Sequence, residues 1–140
     1  MNVKRIILVS LIVAVAGVLI MMKFGQKNLK YELISPEETQ KVIEADSNVV
    51  LLDVRTPAEF NSESGHLANT LLIPVQELEQ RVDELAQYKD KTIIAYCRTG
   101  NRSGTAAAIL SKKGFKAMNM TGGIVKWNEL HLPVVHEKTQ

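Results

Sequence analysis

The chain has 140 residues, of which 46% are apolar and 23% charged, so it suits one globular domain and shows no compositional sign of disorder. Its net charge of +2 is unevenly distributed. Residues 1–30 hold five basic residues and no acid, whereas residues 31–140 hold the other 12 basic and all 15 acidic residues, a net charge of −3. A mildly acidic domain lacks the basic surface that nucleic-acid binding requires, which excludes a nucleic-acid partner.

A long apolar run lies near the N-terminus, at residues 6–22, where only Ser10 is polar. As a helix it would be about 25 Å long, the lower limit for crossing a hydrocarbon core. It is apolar on every face, which disfavours a buried core helix. We therefore predict an N-terminal transmembrane anchor (or uncleaved signal segment) over residues 1–22 and a polar linker over residues 23–30. The alternative is a cleaved signal peptide with a small-x-small site at residues 14–16.

Basic residues on both sides of the apolar run give opposing signals for orientation. Lys4 and Arg5 favour a cytoplasmic N-terminus, whereas Lys23, Lys27 and Lys30 favour the reverse. Because a short head with two charges is hard to translocate, we predict a single-pass membrane protein whose domain is extracytoplasmic, on the periplasmic side in a bacterium.

Short apolar runs and amphipathic segments alternate over residues 31–136, the predicted domain. The strands are predicted at residues 31–34 (an edge strand), 49–52, 70–73, 92–96 and 115–120. The helices are predicted at residues 36–45, 56–60, 75–85 and from Ser103 to Gly114, with a last one around Trp127. Ser35 and Thr56 are suited to be N-caps, with Glu38 completing a capping box. This alternation predicts an α/β layered domain with a mostly parallel five-stranded sheet.

Cys97 is the only cysteine of the chain, which excludes an internal disulfide and a C-x-x-C redox pair. The histidines, His66, His131 and His136, are scattered, and none lies near a second soft ligand in the sequence. We therefore expect no metal site and no cofactor.

The cysteine lies between a buried strand and a helix, in the segment Cys97-Arg98-Thr99-Gly100-Asn101-Arg102-Ser103. A thiol has a pKa of about 8.5 and is a weak nucleophile until that pKa is lowered. The helix N-terminus and the two arginines supply positive charge, and Gly100 lets successive backbone amides face one point. The segment predicts a reactive thiolate that faces an anion and needs no general base. The alternative is a buried structural cysteine.

Several other segments accompany this loop in a recognisable order: Leu52-Asp53-Val54-Arg55-Thr56-Pro57-Ala58-Glu59-Phe60, Gly65-His66-Leu67, Ile73-Pro74, Gly122-Gly123-Ile124, Trp127 and Leu132-Pro133-Val134. Together with the cysteine loop they resemble the rhodanese family, the single-domain sulfurtransferases, over about residues 31–135. The resemblance implies a three-layer rhodanese-like domain.

The resemblance also implies a sulfurtransferase of the thiosulfate type, with Cys97 as its catalytic residue. Cys97 would take a sulfur from a small anionic donor such as thiosulfate, release sulfite and hold the sulfur as a persulfide. A thiol or a thioredoxin-like protein would then accept it, in a ping-pong scheme. The substrate-binding residues would be Arg98, Thr99, Gly100, Asn101, Arg102 and Ser103. We expect a monomer.

Three charged residues, Asp53, Arg55 and Glu59, are expected to be structural in such a fold, with an ion pair between Arg55 and Glu59. The sequence departs from the family pattern at two places. The turn at residues 67–72 lacks the usual Pro-Gly-Ala-x-Asn type of sequence, and His131 stands where a glycine is common. Both differences are expected to change the rim of the site and not its sulfur chemistry.

Two other functions compete with sulfur transfer. Thiol phosphatases and arsenate reductases have a C-x5-R loop, often with a histidine before the cysteine, whereas Cys97 to Arg102 is C-x4-R and follows Tyr96. A smaller loop suits a sulfur atom better than a tetrahedral phosphate. A membrane-tethered persulfide carrier or binding module without turnover would use the same loop and stays an alternative.

Overall fold

The computed structural model describes residues 30–45 and 48–136, in which strands and helices alternate as expected. The strands are β1 (Glu32–Ile34), β2 (Val49–Asp53), β3 (Leu71–Leu72), β4 (Thr92–Tyr96) and β5 (Lys116–Met120). The helices are α1 (Pro36–Ala45), α2 (Pro57–Phe60), α3 (Leu78–Arg81), α4 (Asn101–Lys112) and α5 (Gly123–Glu129), and a 3-10 helix (Val82–Tyr88) follows α3.

The five strands form one parallel sheet in the order β1-β5-β4-β2-β3. The prediction of a mostly parallel five-stranded sheet with β1 at an edge is therefore confirmed. Because all strands run in the same direction, the segments that follow β2, β4 and β5 meet at one edge of the sheet, where open α/β folds place their sites.

Apolar side chains cover both faces of the sheet, which explains the continuous apolar runs in the strands. In β4, Ile93 belongs to the core cluster that includes Leu78, Leu85 and Leu110, from α3, the 3-10 helix and α4. The next residue, Ile94, belongs to the opposite cluster with Trp127 of α5. The sheet is thus the middle of three layers.

Both predicted N-caps are present and each forms a complete capping box. The Glu38 amide donates to Ser35 Oγ at 3.1 Å, and the Ser35 amide donates to Glu38 Oε2 at 3.0 Å. Thr56 exchanges the same pair of bonds with Glu59, at 3.3 and 3.0 Å.

Two predicted helix boundaries were wrong. The amphipathic helix expected over residues 75–85 is a one-turn helix, α3, followed by a 3-10 helix. The chain is not yet helical at Val75, because the amide of that residue donates to the Val54 carbonyl at 3.1 Å. Helix α4 begins at Asn101 and not near Ser103, because Gly100 already caps it.

The predicted anchor at residues 1–22 lies outside the described residues, as does the predicted linker up to residue 29. Within residues 30–45 and 48–136, no helix is long and apolar enough to cross a membrane.

Candidate active site

Cys97 follows the last residue of the central strand β4, and its side chain is only 1% exposed. The Gly100 amide donates a hydrogen bond to the sulfur at 3.1 Å. The Ser103 hydroxyl lies 3.4 Å from the same sulfur. The predicted loop therefore curls around the thiol and directs a backbone amide toward it, as an anion nest does.

The tight curl of the loop depends on Gly100. Its φ of +103° is a left-handed conformation that L side chains rarely adopt, and the residue is the N-cap of α4. A Cβ there would also lie 3.3 Å from the Gly122 amide nitrogen. Glycine is therefore required both for the turn and for the close approach of the neighbouring loop.

The carbonyl oxygens at the start of the loop accept hydrogen bonds from backbone amides of α5. The Ile124 amide donates to the Cys97 carbonyl at 2.9 Å, and the Val125 amide donates to the Arg98 carbonyl at 3.1 Å. These bonds hold the first two residues of the loop against α5. They require Gly123, where a Cβ would lie 2.4 Å from the Cys97 carbonyl oxygen. The sequence showed the Gly-Gly pair as a turn and did not reveal this role.

Opposing effects act on the ionisation of the thiol. Burial raises the pKa of Cys97. Hydrogen bonds from the Ser103 side chain and from the amides of Ser103, Gly100 and Thr99 lower it, and together they outweigh burial. The pKa of Cys97 therefore lies below its usual value, as a nucleophilic cysteine requires.

The Arg102 guanidinium binds Glu59 through two hydrogen bonds of 2.7 and 2.6 Å, which raise the pKa of Arg102, and the neighbouring Cys97 adds a smaller effect in the same direction. Glu59 also accepts from the Thr56 amide and hydroxyl, so Arg102 is fixed to the start of α2. Hydrogen bonds from Arg102 and Thr56 lower the pKa of Glu59 to about 2. The expected Arg55–Glu59 ion pair was therefore wrong.

Arg55 instead pairs with Asp53, at 2.6 Å, and both side chains are almost fully buried. The same guanidinium donates to Ser64 Oγ at 2.9 Å and to the Gly65 carbonyl at 2.8 Å. Arg55 thus joins the end of β2 to the loop that follows α2. The expectation that these residues are structural agrees with this position, but the partner differs.

The remaining predicted binding residues, Arg98, Thr99 and Asn101, have exposed side chains. Arg98 lines a cavity of about 200 Å³ beside the cysteine loop. The other residues of its wall are Arg55, Glu59, Ser62, Ser64, Ile124, Val125 and Asn128. Its wall combines charged and polar side chains with two apolar ones, and its volume is large enough for a small anion.

One buried polar residue near the sulfur was missed from the sequence. Asn119 of β5 accepts a hydrogen bond from the Ser103 hydroxyl at 2.6 Å and donates one to the Gly100 carbonyl at 3.1 Å. The available signal was a lone asparagine in an apolar strand. Within residues 30–45 and 48–136, no cluster of three or more His, Cys, Asp and Glu side chains could hold a metal ion.

The model of the rhodanese-like domain family matches residues 35–130, from the start of α1 to just beyond α5. The chain belongs to this family. A sulfurtransferase of Allochromatium vinosum is 34% identical over 105 residues, 74% of this chain and 94% of that protein. An uncharacterized protein of Synechocystis sp. is 34% identical over 106 residues, 75% of this chain but only 56% of that longer protein.

Solved structures of similar proteins agree with the fold. A rhodanese-related protein from Thermoplasma volcanium has a TM-score of 0.66 and 35% identity, covering 76% of this chain and all of that one. A rhodanese-like domain protein from Staphylococcus aureus has a TM-score of 0.64 and 25% identity, covering 74% of this chain and 98% of that one.

Within this rhodanese-like domain, His131 has a φ of +54°, a conformation that suits glycine, and Asn69 in the unusual turn has a φ of +56°.

Proposed function

We propose that this rhodanese-like domain is a sulfurtransferase that moves a sulfane sulfur from thiosulfate or a similar donor to a thiophilic acceptor. The observation that carries the proposal is the position of the Cys97 sulfur inside a curled loop whose Gly100 amide binds it at 3.1 Å. Such a nest stabilises a thiolate and, after reaction, a terminal sulfur that carries negative charge.

The proposed reaction has two nucleophilic steps. The Cys97 thiolate attacks the outer sulfur of thiosulfate, the sulfur–sulfur bond of the donor breaks, and sulfite leaves with the electron pair. An acceptor thiolate then attacks the outer sulfur of the persulfide and restores the Cys97 thiolate, so each step exchanges one bond to sulfur for another. Thr99, Asn101 and the exposed Arg98 line the approach, and Arg98 attracts the anionic donor.

The direct test is intact-mass measurement of the protein after incubation with thiosulfate and removal of excess donor. We expect the mass of one sulfur atom to be added, to be lost on treatment with a reducing thiol, and to be absent in Cys97→Ser. No mass gain from thiosulfate or from other sulfane-sulfur donors would refute the proposal. A stable gain that supports no repeated turnover with a thiol acceptor would instead identify a persulfide carrier.

A phosphatase or arsenate reductase activity is disfavoured by the state of Arg102. Thiol phosphatases need a free guanidinium that binds two oxygens of the phosphate through two parallel hydrogen bonds. Here both arms of the guanidinium bind Glu59, and the loop is one residue shorter than C-x5-R. We expect no hydrolysis of p-nitrophenyl phosphate that depends on Cys97.

For location, the apolar run at residues 6–22 supports a membrane anchor, with the domain over residues 31–136 extracytoplasmic. Cell fractionation tests the anchor, and a reporter enzyme fused after Gln140 tests the side of the membrane. Release of the full-length protein into the soluble fraction would exclude the anchor. A thiol or thioredoxin-like acceptor on that side is part of the same proposal, and size-exclusion chromatography tests the expected monomer.

A further inference from the structure

Asn119 is a buried amide whose two polar ends are both occupied, and it belongs to none of the steps proposed above. Asn119 is 6% exposed and pairs with Ala95 of β4 in the sheet. Its Nδ2 donates to the Gly100 carbonyl at 3.1 Å, and its Oδ1 accepts from Ser103 at 2.6 Å. Because a carbonyl only accepts, the bond to Gly100 fixes which end of the amide faces Ser103.

Both partners of Asn119 are residues that contact the sulfur. Ser103 Oγ lies 3.4 Å from Cys97 Sγ, and the Gly100 amide lies 3.1 Å from it. Asn119 makes neither a hydrogen bond nor an ion pair with Cys97 within the described part of the chain. Any effect of this side chain on the sulfur therefore passes through its neighbours, which makes it a positioning residue.

The neighbouring helix leaves room for this amide. A Cβ on Gly104 in α4 would lie 3.3 Å from Asn119 Nδ2 and 2.9 Å from the Tyr31 hydroxyl. Glycine inside a helix lowers its stability relative to alanine. Its presence in α4 is accounted for by the close packing of the asparagine and the tyrosine against the helix backbone.

The Ser103 hydroxyl has one proton and two acceptors within reach. The shorter contact, to Asn119, takes the proton while Cys97 is a thiol, and the oxygen lone pairs then face the sulfur. When Cys97 ionises, the hydroxyl must turn to the thiolate and leave Asn119 Oδ1 buried without its donor, which is unfavourable. We propose that Asn119 competes with the sulfur for the single Ser103 proton and thereby restrains ionisation of the resting thiol.

The other hydrogen bond of Asn119, from Nδ2 to the Gly100 carbonyl, has a weaker influence on the sulfur. The Gly100 carbonyl also accepts from the Gly104 amide at 3.1 Å, as the first bond of α4. Gly100 therefore keeps its position, and its amide keeps its bond to the sulfur, when Asn119 is replaced. The main effect of replacing Asn119 is therefore that Oδ1 no longer competes for the Ser103 proton, which favours ionisation of Cys97.

Charged groups around the sulfur stay in place in such a replacement. They are Arg102 on α4, which is paired with Glu59 of α2, and Arg98 in the loop. At the end of β2, Asp53 and Arg55 pair with each other. None of them shares a hydrogen bond with Asn119, so a change at this position alters the Ser103 proton and not the local charge.

The test is the pKa of Cys97, measured as the pH dependence of its alkylation rate by iodoacetamide. Because Cys97 is the only cysteine, one adduct reports one site. In Asn119→Leu we expect the acid ionisation constant of Cys97 to rise about three- to tenfold, which lowers its pKa by about 0.5 to 1 pH unit. Asn119→Ala is expected to change the pKa in the same direction and supplies the reading if the leucine variant does not fold.

Two controls decide whether the effect passes through Ser103. In a Ser103→Ala background, replacement of Asn119 is expected to leave the pKa unchanged. Thr39→Val removes a buried hydroxyl that donates to Ser35 at 2.8 Å in α1, and it is expected to lower stability without changing the pKa. A raised or unchanged pKa in the Asn119 variants, a change that persists without Ser103, or an equal change in Thr39→Val overturns the inference. Alkylation needs no sulfur donor, so this result is independent of the proposed sulfur transfer.

Discussion

Replacement of Gly123 by alanine tests the idea that α5 holds the cysteine loop in its curled form. A Cβ at this position would lie 2.4 Å from the Cys97 carbonyl oxygen and 2.5 Å from the Arg98 carbonyl group. The atoms that it meets belong to backbone, so relief requires movement of the loop itself. The left-handed φ of +57° costs about 1–2 kcal/mol for alanine, and forced displacement of packed backbone adds about 1–3 kcal/mol. We expect a total loss of about 2–5 kcal/mol.

Gly114→Ala provides the matched control. Gly114 also has a left-handed φ, +83°, but the nearest atom to its Cβ would be the side-chain Nζ of Lys89, at an ordinary contact distance of 3.4 Å. Gly114→Ala should therefore show only the cost of placing alanine at a left-handed φ. Urea unfolding gives the stability of both variants, and the alkylation rate of Cys97 reports the loop. Equal losses of stability in the two variants, with an unchanged alkylation rate in Gly123→Ala, would refute the role assigned to Gly123.

Three further changes test the contacts around the site. Arg55→Ala leaves the buried carboxylate of Asp53 unpaired and should destabilise the domain by about 3–5 kcal/mol in urea unfolding; a loss of activity at unchanged stability would contradict this. Glu59 has a pKa of about 2 in the folded protein against an ordinary value of 4.5, so its contribution to stability is present above pH 4.5 and is lost as the pH falls toward 2. Glu59→Gln should flatten the stability curve in that window, and a curve identical to that of the parent protein would count against the Arg102 pairing. Tyr96→Phe removes the hydroxyl that accepts from the buried Leu67 amide at 3.1 Å and should cost about 1–3 kcal/mol, with the alkylation rate of Cys97 unchanged.

Much of the fold follows from local patterns in the sequence. The strands are apolar because both faces of the sheet are covered, and the capping boxes at Ser35 and Thr56 involve residues only three positions apart. Such signals require no knowledge of distant segments, so they were predictable. The segment after Pro74 was mispredicted because its apolar spacing fits either helix type, and the bond between Val75 and Val54 decides where the helix begins.

The partners of the charged side chains were less predictable. Arg55 has both Asp53 and Glu59 within four positions in the sequence, and we expected it to pair with the more distant acid. Arg55 pairs with Asp53 because Asp53 lies at the end of β2 with its carboxylate beside the guanidinium, buried from water. Glu59 is then available to Arg102, which is 43 positions away in the chain.

By itself the sequence determined the alternation of strands and helices, the family, and the position of the thiol between β4 and α4, because each depends on residues that are neighbours along the chain. Only the tertiary structure decided what surrounds the sulfur. The Gly123 turn that holds the loop carbonyls, the Asn119 amide that shares the Ser103 proton, and the acid that pairs with Arg102 all come from distant segments. A hydrogen bond forms only when donor and acceptor are placed to within a few tenths of an ångström of the right distance. Such distances arise only when β2, β4 and β5 are assembled in one sheet and the segments that follow them meet at its edge.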